Sequence, residues 1–157
     1  MKKIYTLLTV LVLSSCSSLL EAPSCDFSDS KGSVVAKSEL VAVIDFADGS
    51  SRISPVNKQV LNQVADKALN ENAKVVVYGH ASHRTVTKNI LQRILVNLRI
   101  SNERAINVSA ELMKDGVPAA DIYTLALFDS RPIVAEVDRR TEAINRRAEV
   151  YLYWLEQ

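Results

Sequence analysis

The sequence predicts one α/β domain, a small mixed β-sheet with helices packed against it. Three observations predict this. Four β-rich runs, Leu40–Phe46, Ala73–Tyr78, Ile122–Phe128 and Arg146–Leu155, alternate with segments whose apolar residues recur at helical spacing. Ser54-Pro55 and Asp115-Gly116 stand where a helix starts and where one stops. A chain of 157 residues with 48% hydrophobic content has room for one ordinary core.

Residues 1–15 stand apart from that fold. Lys2 and Lys3 make a basic start, and Ile4 to Leu13 is an apolar run too short to span a bilayer. This leads into Leu13-Ser14-Ser15-Cys16, which resembles the bacterial lipobox, whose cysteine becomes the lipidated first residue after cleavage. The alternative is an ordinary secretory signal cut near the same serines, with Cys16 incidental. Ser17, next in the chain, resembles the sorting signal for the outer membrane. Several acyl chains, at ~0.8 kcal/mol per buried methylene, hold a protein stably where a single chain does not. Loss of residues 1–15 removes two lysines and moves the formal charge from +1 to −1. No concentrated basic face suited to nucleic acid is expected.

Residues 16–37 are expected to form a lipidated flexible linker, rich in Ser, with Pro23 and Gly32 and no sustained period. Fully extended it reaches at most ~75 Å, and as a random coil about 25 Å. Cys25 lies within it. With Cys16 committed to lipid, Cys25 is left as an inert thiol or as a cross-link between two chains.

The domain proper is expected over residues 38–157. After the first strand, Ser54 caps a helix with Pro55 in its first turn, and Val56, Val60, Leu61, Val64 and Ala68 form its core stripe. The unbroken apolar run Ala73–Tyr78 suits a strand in the middle of a sheet. Ile90, Ile94, Leu95 and Leu98 form a helical stripe. A separate helix is expected from about Asn102 to Lys114, capped by Ser101, with Ala105, Ile106, Val108, Leu112 and Met113 inward. Residues 117–121 read as a turn before the third strand, and 136–145 as a short helix or ordered loop. In the last strand Ala148, Val150, Leu152 and Trp154 share one face, and Glu149, Tyr151 and Tyr153 the other.

Four stretches carry a family resemblance. Phe46 to Ile53 reads F-x-x-G-S-x-x-I. Gly79-His80-Ala81-Ser82 follows the second strand, Asn97 to Ala105 reads N-x-x-I-S-x-x-R-A, and Asn145-Arg146-Arg147-Ala148-Glu149 opens the last strand. In this order they resemble the OmpA C-terminal-like domain, the peptidoglycan-associating module of OmpA, Pal and MotB, with a βαβαβ layout. The chain departs from that pattern in three places. Ser82 replaces the loop aspartate, Phe128 stands where glycine is usual, and the interval between the loop and the second motif is lengthened by an insertion near Thr85–Val96.

The resemblance implies a ligand site at Arg104, Ser82, Gly79, His80, Asn97 and Ser101. In the family, the arginine and the loop aspartate hold the amino-acid end of diaminopimelate in the peptidoglycan stem peptide. The chemistry suits the groups: a planar guanidinium forks a carboxylate, and an ammonium wants a carboxylate opposite. Arg104, placed in the first turn of its helix, would add the positive end of the dipole. Ser82 brings no charge, which by the strength of charged hydrogen bonds (about 1.5–3 kcal/mol) weakens binding roughly ten- to a hundred-fold. Asp48 or Asp129 are candidates to supply it, and Ser82→Asp is expected to tighten binding.

Each of these residues also has a plainer reading. Arg104 unaided by the motif would pair with Glu103, and Gly79 would serve a tight turn. His80 reads as a packed, hydrogen-bonded support for the loop, and His83 as exposed. Arg146 and Arg147 read as salt-bridging across the sheet or helix layer, with ligand contact as the lesser reading. His80-x-x-His83 has zinc-like spacing but no third His and no suitably placed Cys, so no metal and no cofactor are expected. Ser82 and His83 are adjacent with no orienting acid, so no enzyme is expected either.

The function expected is that of an outer-membrane lipoprotein facing the periplasm, whose domain binds peptidoglycan noncovalently and tethers membrane to cell wall. The alternative is an envelope structural or interaction lipoprotein that kept the fold, lost peptidoglycan binding, and uses the Thr85–Val96 insertion as the surface for a protein partner.

Overall fold

The structure, a computed structural model, describes residues 35–84, 87 and 89–156. The expected signal peptide, Cys16, Cys25 and nearly all of the linker lie outside the described residues. The elements run β1 (Val35–Asp45), α1 (Pro55–Asn70), β2 (Lys74–Gly79), α2 (Ile90–Lys114), a 3₁₀ turn (Ala119–Asp121), β3 (Ile122–Ala126), α3 (Arg139–Asn145) and β4 (Arg147–Leu155). The described residues thus form a mixed α/β fold of four strands and three α-helices.

The sheet order is β1-β4-β2-β3. The last strand in sequence therefore lies inside the sheet, antiparallel to both β1 and β2, while β3 pairs parallel to β2 at the other edge. Pairing of Tyr78 with Glu149 and of Gly79 with Ala148 brings the loop after β2 beside the start of β4. β1 and β4 slip register between Leu40 and Ala42, a bulge beyond which Ala42 and Ile44 face the core.

The core joins Ile44 and Phe46 to Leu61 and Val64 of α1, Val75 and Val77 of β2, Val108 and Leu112 of α2, and Val150 and Leu152 of β4. Each such buried aliphatic contributes about 1.5–3 kcal/mol relative to exposure. Ala148, Val150 and Leu152 do share the helix-covered face, as their alternation predicted.

α1 starts as expected: the Ser54 hydroxyl accepts a hydrogen bond from Asn57 N (3.1 Å), with Pro55 at the first turn. Its stripe is rotated from the predicted one: Val56 is exposed, and Asn57 and Ala65 are buried instead. α2 corrects a larger expectation. It is one helix of 25 residues, capped by Asn89, whose side chain accepts from Gln92 N. Ser101 is not a cap but an interior residue, its hydroxyl donating back to Leu98 O at 2.9 Å. Nothing between Ile90 and Lys114 is Gly or Pro, so the helix has no reason to break. Ile106 and Met113 are exposed rather than inward, as are Ile90, Leu95 and Leu98 in the first turns. β3 ends at Ala126, two residues short of expectation. Beyond it Phe128 adopts a positive φ of 37°, the conformation that glycine takes without cost.

Candidate functional site

The site begins at the C-terminal end of β2. Gly79 belongs to the strand rather than to a turn, and its hydrogen atoms face the backbone of α2. A Cβ there would lie 1.9 Å from Ser101 O, so α2 crosses β2 at a distance that only glycine permits. That close crossing sets Arg104, three residues further along α2, over the loop that follows.

Arg104 is 1% exposed. Its Nε donates to Ser50 O (3.0 Å) and its Nη1 to His80 O (2.8 Å), while Cζ lies 5.2 Å from the centre of the Phe46 ring. Among the described residues it has no carboxylate partner; both acceptors are neutral carbonyls. Burial, aided by repulsion from Arg146, lowers its pKa to about 10, which still leaves it charged at neutral pH. Placement in mid-helix removes the expected contribution of the helix dipole, which falls off within the first turn.

Arg104 lines a cavity of about 280 Å³. Ser82 and Asn97 line it too, so three of the six expected site residues meet there. Gly79, His80 and Ser101 stand behind it. Ser101 Oγ accepts from Phe128 N (3.2 Å), fixing the loop after β3. His80 is packed as expected, but its bonds are made by the backbone: His80 N donates to Arg147 O, and His80 O receives Arg104. Its ring Nε2 stands 3.6 Å from Glu149 Oε2.

Ser82 is committed elsewhere. Its hydroxyl donates to Glu136 Oε2 at 2.8 Å and accepts from Arg84 N at 3.3 Å. Glu136 gathers the loop, also accepting from His83 N (2.9 Å), Arg84 N (3.1 Å) and Asn145 Nδ2 (2.9 Å). Burial pushes the Glu136 carboxyl up, but these donors, Asn145 foremost, hold it below the usual range. Asn97 is 1% exposed, and its Nδ2 has no hydrogen-bond partner.

Sequence reasoning missed much of the charge around the cavity. Arg84, Arg99 and Arg146 line it with Arg104, against only two carboxylates, Asp48 and Glu103. Arg99 holds Glu103 at 2.8 Å, Arg84 holds Glu142 at 2.7 Å, and Arg146 lies 3.9–4.0 Å from Glu142 and Asp48. Asp129 does not reach the cavity; it lies 2.7 Å from His83 Nδ1. Arg147 bonds Glu149 within its own strand and Arg131 O, not another layer. Among the described residues no group of three His, Cys, Asp or Glu is placed to hold a metal.

Residues 45–146, which contain every residue that lines the cavity, match the OmpA family. The chain belongs to the OmpA family. Solved structures share the OmpA-like fold at low identity. The peptidoglycan-associated lipoprotein from Burkholderia pseudomallei aligns with a TM-score of 0.60 at 20% identity, covering 70% of this chain and 88% of that one. The cell wall anchor of the T6SS from Pseudomonas aeruginosa gives 0.59 at 23%, covering 71% and 78%. The C-terminal domain of Helicobacter pylori MotB gives 0.61 at 16%, covering 71% and 84%. Comparison with curated protein sequences gives no match.

Proposed function

We propose that this OmpA-family domain binds peptidoglycan noncovalently through a carboxylate of the diaminopimelate stem peptide. With Cys16 lipidated and residues 16–34 as tether, since β1 already takes up residues 35–37, it links the outer membrane to the cell wall from the periplasmic side. The observation that carries this reading is Arg104. A buried charge ordinarily has a counter-charge, and Arg104 has two neutral carbonyls and a cavity. A ligand carboxylate completes it. Two of the fold neighbours are by name a peptidoglycan-associated lipoprotein and a cell wall anchor, which favours the same polymer. The role is binding; no step of catalysis is assigned. Membrane tethering raises the local concentration of the site, so modest intrinsic affinity suffices.

The test is retention on purified sacculi. Arg104→Ala is expected to lose retention while keeping the parent's circular dichroism; equal retention of variant and parent rejects the reading.

A second reading rests on the first two turns of α2, where Ile90, Leu91 and Leu95 are 66%, 73% and 65% exposed. An envelope lipoprotein that docks a protein partner along Thr85–Val96 would use that face. Leu91→Glu with Leu95→Glu would then abolish a partner cross-link, and Arg104→Ala would change nothing.

A further inference from the structure

The cavity is one-sided in its hydrogen bonding. Its two deeply buried polar side chains with unspent capacity, Arg104 and Asn97, both offer donors. Among the described residues no buried carboxylate lines the cavity to match them. Ser82 Oγ, the hydroxyl at the cavity wall, spends its proton on Glu136 and a lone pair on Arg84 N. The Glu136 carboxylate behind it is filled by four donors and does not itself line the cavity. Of the two acids that do, Glu103 is held by Arg99, and the Asp48 side chain is 93% exposed. An ammonium set against an exposed carboxylate gains little, since water screens the pair.

Resting on the peptidoglycan reading above, we infer that this cavity reads the acid of its ligand and leaves the amine unread. Its ligand class is a peptide-borne carboxylate, and the neighbouring nitrogen is free to be an amide. Two sources share that chemistry: a diamino acid whose side-chain amine has been acylated by a cross-link, and an uncross-linked stem peptide with the amine still free. A site with a buried carboxylate facing the amine would favour the second, because acylation removes the charge and leaves the acid unpaired. This site has no such carboxylate, so it accepts both. The inference places the protein on cross-linked wall as readily as on nascent wall.

The experiment titrates the full chain with three stem peptides: one with free diaminopimelate, one with its side-chain amine acetylated, and one with the diaminopimelate carboxyl next to that amine amidated. Acetylation is expected to change Kd less than threefold, and amidation to raise it more than tenfold. A loss of threefold or more on acetylation overturns the inference while leaving peptidoglycan binding intact. Tolerance of amidation overturns it as well, since the acid is then not what is read. Failure of all three peptides to bind rejects the peptidoglycan reading and the inference with it. Asn97→Asp supplies an independent arm. It replaces the unpaired donor by an acid, and is expected to weaken the acetylated peptide more than tenfold; unchanged affinity for that peptide overturns the assignment of Asn97 as a donor to the ligand.

Discussion

The carbonyl oxygen of Ser101 occupies the space into which residue 79 would project a side chain, 1.9 Å from the position of a Cβ. Of the three nearest atoms, all on α2, O and C of Ser101 are backbone and the third is the Ala105 Cβ at 3.0 Å, so no rotamer change relieves the clash. Gly79→Ala must push α2 away from β2 and carry Arg104 with it. The expected outcome is a loss of about 1–3 kcal/mol in chemical denaturation, the usual cost of overpacking, together with a loss of retention on sacculi. Unchanged stability would mean that the helix crosses further away than the structure has it.

Much of the fold was legible because it is written in side chains. The strand alternation of β4, the Ser54-Pro55 start of α1 and the stop at Gly116 are local signals with local causes. Ser101 misled for the same reason: a serine ahead of an acidic turn looks like a cap, and only the tertiary setting shows its hydroxyl turned back on Leu98. The site was half legible. Arg104, Asn97 and Ser82 were implied by the resemblance of their motifs to the family's, but the groups that hold Arg104 are the carbonyls of Ser50 and His80, and a backbone acceptor has no residue signature. Glu136 was passed over because its partners lie about 50 residues upstream, at Ser82, His83 and Arg84.

The Ser82–Glu136 bond reverses what the sequence suggested for an aspartate at position 82. Ser82→Asp places a second carboxylate against Glu136 Oε2, where a hydroxyl now donates at 2.8 Å. Two such acids close together cannot both ionise without cost. The single variant is expected to be destabilised by about 1–3 kcal/mol and not to bind more tightly. Adding Glu136→Gln provides a neutral donor opposite the new acid and should recover part of that loss. A double-mutant cycle by urea denaturation measures it, and strict additivity of the two changes would remove the pairing from consideration.

Glu149 makes the domain sensitive to acid. His80, against the opposing effect of burial, and Arg147 through two contacts of 2.7 Å hold its pKa down to about 2, from 4.5. A carboxylate with a depressed folded-state pKa contributes stability above its unfolded value and loses it as pH falls towards the folded one. The window here runs from pH 4.5 down to 2. Within it the parent should lose on the order of 3 kcal/mol more than Glu149→Gln, which has no proton to take up there. Parallel slopes of stability against pH for the two proteins would show that this carboxylate is not the acid-sensitive group.

Phe128 offers the cleanest test of backbone strain. At φ 37° it stands in the left-handed region, held there by Phe128 N on Ser101 Oγ and by its own carbonyl on Ala81 N (2.7 Å). Those two bonds stitch the loop after β3 to α2 and to the loop after β2, so the conformation is imposed by the site and not by the residue. Replacing Phe128 alone confounds strain with the loss of a half-buried ring. Comparing Phe128→Ala with Phe128→Gly removes the ring from both. In ordinary backbone the alanine variant is the more stable by about 0.4–1 kcal/mol, because glycine adds entropy to the unfolded chain. Here the order should invert, with Phe128→Gly the more stable by about 1 kcal/mol, since only glycine enters this region without a Cβ clash. The inversion is read from the midpoints of denaturant unfolding at equal slope. An alanine variant that outlasts the glycine variant would mean that the loop relaxes to a negative φ once the ring is gone, and that the Ser101 contact does not fix it.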